Sequence, residues 1–125
     1  FFKVINKMKI YIDGSGFNGE ESKYVIAFED GRLIKKQIKE NKTSNEMEYE
    51  ALLRALEEAK EKDEIYTDSQ LLERQICGKY KVKAENLFPL FMKARKLIEG
   101  KKVTLKWVPR DKNYAGNILE LKKKK

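Results

Sequence analysis

The chain has 125 residues, 41% hydrophobic and 38% charged, with 28 Lys+Arg against 20 Asp+Glu for a net charge of +8. That length suits one domain with a modest core, and the cation excess points to a polyanionic partner, nucleic acid above all, or to a lysine-rich surface serving solubility alone. Having no histidine and a single cysteine, Cys77, it excludes Ser-His-Asp and Cys-His nucleophile systems, His-ligated zinc or haem, internal disulfides and Cys-cluster metal sites.

What remains is an inventory of carboxylates, amides, hydroxyls, Lys and Arg, which suits hard, oxygen-liganded cations such as Mg²⁺. No stretch approaches the roughly 18 apolar residues of a membrane span. The start, FFKVINKMK, is interrupted by Lys3 and Lys7 and lacks a signal-peptide core. A cytoplasmic protein without a membrane partner is therefore expected. Met8 is a candidate start, which would make residues 1–7 an extension, and residues 121–125 read as a basic tail.

Lys9–Asp13 alternates and stops at Gly14-Ser15-Gly16, a strand followed by a turn. Asn18-Gly19 is a second turn signal. Ser22–Glu29 is β-branched and aromatic and reads as a strand. Asp30-Gly31 is a hairpin turn leading to a third strand, Arg32–Lys39. Thr43–Lys62 is an amphipathic helix, capped by Thr43, Ser44 or Asn45 and ended by Asp63. Glu64–Thr67 is short and apolar enough for a buried strand, and Asp68-Ser69 caps a short helix ending at Gly78. Lys79–Lys83 is a basic connector. A further helix is expected over Glu85–Glu99, with Pro89 in its first turn and Gly100 at its end. Lys102–Val108 alternates as a fifth strand broken by Pro109, and Asn113–Leu121 holds a last helix. The βββαβααβα order predicts one α/β domain over residues 1–125, with helices packed on a five-stranded mixed sheet.

One residue of the Thr43–Lys62 helix does not fit its wheel. Tyr49, Ala51, Leu52, Leu53, Ala55, Leu56 and Ala59 share an arc roughly 200° wide. Glu48 falls inside that arc. A carboxylate aimed at a core is costly unless a cation meets it. Asp13 ends the first strand two residues after Tyr11, and Asp68 follows Tyr66 in the same relation, so each aspartate shares a face with its tyrosine. If those strands are parallel neighbours, the aspartates meet at their carboxyl ends, where open α/β sheets place ligand sites, and Glu48 enters from the crossover helix. Each residue also has a bland local role: turn aspartate, helix cap, tolerated misfit. Their convergence instead describes a metal site, since three neighbouring carboxylates stay ionised together only around a shared divalent cation.

Asp13-Gly14-Ser15, Thr43 through Glu48, Thr67-Asp68-Ser69-Gln70, and Trp107-Val108-Pro109-Arg110 through Asn113 and Asn117 together resemble type 1 ribonuclease H, from about Met8 to Glu120. The GKYKVK connector is similar to that of compact bacterial and archaeal members. The resemblance implies a ribonuclease H-like fold and endonucleolytic cleavage of the RNA strand of RNA–DNA hybrids with two Mg²⁺ ions, Mn²⁺ being a substitute. Such ions sit about 4 Å apart, activate a water and stabilise the leaving oxygen. It maps four metal-binding, catalytic positions onto Asp13, Glu48, Asp68 and Asn117. It also implies minor-groove contacts by Asn45 and Gln70, where the RNA 2′-OH is read. DNA-phosphate contacts fall to Thr43 and Asn18, and a phosphate contact to Arg110. A monomer is expected.

Two departures stand out. The histidine that family members often carry before the last acidic residue is absent, leaving solvent, Arg110 or Lys112 to take its place. Asn117 stands where the pattern has Asp, so one negative charge is missing. A weakly active or inactive hybrid-binding module is therefore the alternative reading. Glu120 lies about one turn on as a compensating carboxylate.

Overall fold

A computed structural model describes residues 7–123, with side chains through residue 119. The expected extension, apart from Lys7, and the compensating role of Glu120 fall outside the described residues, as does the basic tail, apart from the backbone of residues 121–123. Five strands form one mixed sheet in the order β3-β2-β1-β4-β5. They are β1 (Lys9–Ser15), β2 (Ser22–Phe28), β3 (Leu33–Ile38), β4 (Glu64–Thr67) and β5 (Thr104–Trp107). The helices are α1 (Ser44–Glu58), α2 (Gln70–Ile76), α3 (Phe88–Lys101) and α4 (Tyr114–Lys123), with a 3₁₀ turn at Arg110–Lys112.

The meander β1-β2-β3 is antiparallel, whereas β4 lies parallel to β1 and to β5. A parallel neighbour needs a long crossover, and α1 supplies it between β3 and β4. Helix α1 packs on β1 and β2, while α4 packs against the same two strands. Two separate apolar clusters result. Ile10, Ile12, Ile26, Leu52, Leu56 and Ile65 belong to the larger, and Val25, Ala27, Ala115 and Leu119 make the smaller. Strand β2 therefore buries both of its faces, and its SKYVIAF run does not alternate. The edge strand β3 carries Lys35 and Lys36 exposed, which discourages pairing with another chain.

Several element ends differ from expectation for identifiable reasons. Strand β1 runs on through Gly14 to Ser15, because Gly14 and Ser15 still pair with Tyr24 and Lys23. Helix α1 stops at Glu58. Helix α3 starts at Phe88, three residues later than expected, with Pro89 in the second position, where its missing N–H costs nothing. It also continues through Gly100, since the left-handed residue that ends it is Lys102, at φ 57°. Among the described residues no helix is long and apolar enough to cross a membrane.

Candidate metal centre

The site lies where β1 and β4 end side by side. The parallel register pairs Tyr11 with Tyr66, and two residues further on each chain come Asp13 and Asp68. Glu48 arrives from the second turn of α1, only 8% exposed. One carboxylate oxygen from each of Asp13, Glu48 and Asp68 lies within 4.8 Å of the others. The structure thus brings together the three acids whose convergence the sequence implies.

Glu48 and Asp68 are held by their surroundings. The Gly14 N–H donates to Glu48 Oε1 at 3.0 Å, and a Cβ on Gly14 would fall 2.5 Å from the Met47 carbonyl carbon. Only glycine lets the strand come this close to the helix. The start of α1 is itself fixed by a capping box. Thr43 Oγ1 accepts from Glu46 N–H at 3.1 Å, and the Thr43 N–H donates to Glu46 Oε1 at 2.9 Å. Asp68 is held through its backbone and its side chain. Trp107 Nε1–H donates to its carbonyl at 3.1 Å, and Asn113 Nδ2–H donates to its Oδ2 at 3.1 Å.

Asn113 was legible only as part of a motif, and its role comes from the fold. It is fully buried. Its Nδ2 also donates to the Ile12 carbonyl at 2.9 Å, and its Oδ1 accepts from Ala115 N–H at 3.1 Å. One side chain thereby ties the start of α4 to β1 and orients Asp68.

Burial holds the Glu48 carboxyl well above the usual carboxylate range, and the negative charges of Asp13 and Asp68 push it further. The Gly14 N–H opposes this by stabilising the charged form. A divalent cation would relieve that repulsion, and an all-oxygen donor set of this kind suits a hard one. A cavity of about 190 Å³ opens over the acids, lined also by Gly14, Ser15, Ser44, Arg110 and Gly116.

Helix α4 meets the cavity through Gly116, where a Cβ would stand 3.3 Å from Asp68 Oδ2 and 3.4 Å from Asp13 Oδ2. Asn117 is the next residue, exposed and not among those lining the cavity. Arg110 lines the cavity and Lys112 is exposed. Thr43 and Asn45 are exposed at the start of α1, beside the cavity residue Ser44. Gln70 is exposed as the first residue of α2. Asn18 turns its own loop, its Oδ1 accepting from the Glu20 and Glu21 N–H groups at 2.9 Å. Ser15, Ser44 and Gly116 were not singled out as site residues from sequence, because nothing local marks a small residue as cavity-lining.

The RNase H family model matches residues 5–119. Three solved structures align over most of their length. The N-terminal RNase H domain of a Mycobacterium tuberculosis protein, fused to maltose-binding protein, is 28% identical, covering 89% of this chain and 88% of that one at a TM-score of 0.77. RNase H1 from the halophilic archaeon Halobacterium salinarum is 28% identical over 91% and 94%, at 0.73. LC11-RNase H1, isolated from compost by a metagenomic approach and solved with an RNA/DNA hybrid, is 30% identical over 90% and 93%, at 0.77. The chain therefore belongs to the RNase H family, and its domain is of the RNase HI type.

Proposed function

We propose that this protein is an endoribonuclease that cleaves the RNA strand of RNA–DNA hybrids by metal-dependent hydrolysis. The observation carrying this reading is the convergence of Asp13, Glu48 and Asp68, one of them buried, in a family whose members hydrolyse phosphodiesters with metal ions. Mg²⁺ is the proposed ion, with Mn²⁺ as substitute, because the donors are all oxygen. When bound, such ions supply an activated water and neutralise charge on the scissile phosphate and leaving oxygen. Asp13, Glu48 and Asp68 would hold them, with Asn117 as a proposed weaker oxygen ligand.

The chain's own groups do the rest. Asn113 fixes the orientation of Asp68, and Gly14 fixes that of Glu48. Arg110, at the cavity wall, is proposed to meet a substrate phosphate. Asn45 and Gln70 are proposed to reach the minor groove, where the 2′-OH separates RNA from DNA. Thr43 and Asn18 are proposed DNA-phosphate contacts. The reading as a catalytically inert binding module is not favoured, because Asp13, Glu48 and Asp68 come together without Asn117 in a family of metal-dependent nucleases.

The test is cleavage of labelled RNA–DNA hybrid, double-stranded RNA and double-stranded DNA in Mg²⁺ or Mn²⁺, for the chain and for Asn117→Asp. Hybrid cleavage alone is expected, with Asn117→Asp lowering the metal concentration needed. Binding without cleavage in both forms would instead leave a binding module.

A further inference from the structure

Helix α3 leaves most of its surface uncovered. Ala94 is its one fully buried residue among fourteen, while Phe88 and Met92 are 49% and 53% exposed. Phe91 and Met92 form the floor of an open groove of about 810 Å³ that reaches Gly78 beyond the end of α2. Phe88 extends the apolar surface, its ring 6.2 Å from that of Phe91. Contiguous exposed apolar surface of this kind marks interaction sites more often than isolated apolar residues do. None of the groove residues lines the carboxylate cavity.

The rim of the groove is charged. Arg95 is committed locally: its Nη1 donates to the Ile76 carbonyl, and its Nη2 lies 3.3 Å from Glu99 Oε1. Arg95 and Glu99 offset each other, so the net charge of the rim is that of Lys93 and Lys96, both exposed.

We propose that this groove docks an acidic peptide segment of a partner protein. A large apolar side chain of the peptide seats on Phe91 and Met92, and its flanking carboxylates meet Lys93 and Lys96. Charge selects this occupant over a second copy of the chain, because each copy carries +8 and would bring like charges together. The lining also disfavours nucleic acid. It contains no Asn, Gln, Ser or Thr to read base edges or a 2′-OH, and its apolar floor of Phe91 and Met92 offers a phosphate backbone no partner. An acidic peptide satisfies both the apolar floor and the cationic rim. With one anchor and two ion pairs, affinity on the order of 10 µM is expected.

The experiment selects a random dodecapeptide display library against the full chain. Synthetic fluorescent copies of the enriched peptides are then titrated onto the chain, onto Met92→Glu and onto the double variant Lys93→Glu/Lys96→Glu. Enrichment of Asp or Glu flanking Phe, Leu, Ile or Met is expected, with binding at least tenfold weaker to each variant. The double variant should regain affinity for a peptide whose acids are replaced by Lys. All three positions are exposed, so the melting temperature and the rate of hybrid cleavage should stay within experimental scatter of the parent. No enrichment, a consensus without acids, or binding indifferent to the substitutions would overturn the proposal. A raised KM for hybrid in the variants would also overturn it, and would reassign the groove to nucleic acid.

Discussion

Helices α1 and α3 pack against each other and are nearly the same length, yet they carry opposite kinds of surface. Helix α1 buries eight of its fifteen residues and is closed at its start by a reciprocal cap. Helix α3 buries Ala94 alone, and Leu87 gives it no side-chain cap. The contrast follows from position. Helix α1 lies on the sheet, pressed against Gly14, whereas α3 lies outside α1. A carboxylate can be kept buried beside two others only on an element that cannot shift away from the repulsion. Glu48 sits on such an element, and the groove of α3 sits on one that is free to display apolar and cationic side chains.

Substitutions that act on one helix and spare the other test this contrast. The largest effect belongs to the acids themselves. Asp13→Asn or Asp68→Asn should lower kcat on hybrid by on the order of 10³-fold or more, measured at saturating metal, while groove substitutions leave it unchanged. Retained turnover in either variant would remove the carboxylates from the chemistry. Next comes packing. Leu52→Ala on α1, fully buried, should cost about 2–5 kcal/mol of unfolding free energy by urea titration, and Leu97→Ala on α3, partly buried, distinctly less. Equal costs would mean that α3 is as integral to the core as α1.

Asn113→Leu, which keeps the number and branching of side-chain heavy atoms, should cost about 1–3 kcal/mol, because the Ile12 carbonyl and Ala115 N–H lose their partner in a dry site. Its kcat should fall further than its stability loss explains, since the Asp68 carboxylate then loses its Asn113 donor. If Asn113→Ser restores stability but not kcat, orientation of Asp68 is the cause.

The gentlest perturbation is pH. Glu48 has a folded pKa raised above the unfolded value of about 4.5. Its favourable contribution is therefore complete below that value and is lost as pH rises through the folded pKa. In the presence of EDTA, the parent should lose stability relative to Glu48→Gln as pH rises from 4.5 towards neutrality. Parallel stability profiles for the two proteins would contradict the burial and repulsion assigned to Glu48. Asp30, Glu46 and Glu64, whose pKa values are lowered by hydrogen bonds, act in the opposite sense and at lower pH.

Much of the site could be read before any coordinates. Glu48 stood out because a helix repeats every 3.6 residues, and one carboxylate on an apolar arc breaks that repeat. Asp13 and Asp68 stood out because each follows a tyrosine by the two-residue period of a strand. These are local regularities, carried by neighbours along the chain. Helix ends were less legible. Gly100 is the natural stop for α3, but with Leu97 and Ile98 packed against the core the helix runs past it to Lys101.

By itself, the order of residues determined the element sequence, the three acids and the family resemblance. The tertiary structure alone decided how those acids are held and what borders them. Asn113 reaches Ile12 across 101 residues, a pairing no periodicity can encode. The approach of α4 brings Gly116 to the cavity and leaves the neighbouring Asn117 exposed. Motif spacing assigns a position along a helix, but the face it presents depends on how that helix seats. That seating is set by Val25, Ala27, Ala115 and Leu119 packing together, which are contacts between residues far apart in the chain.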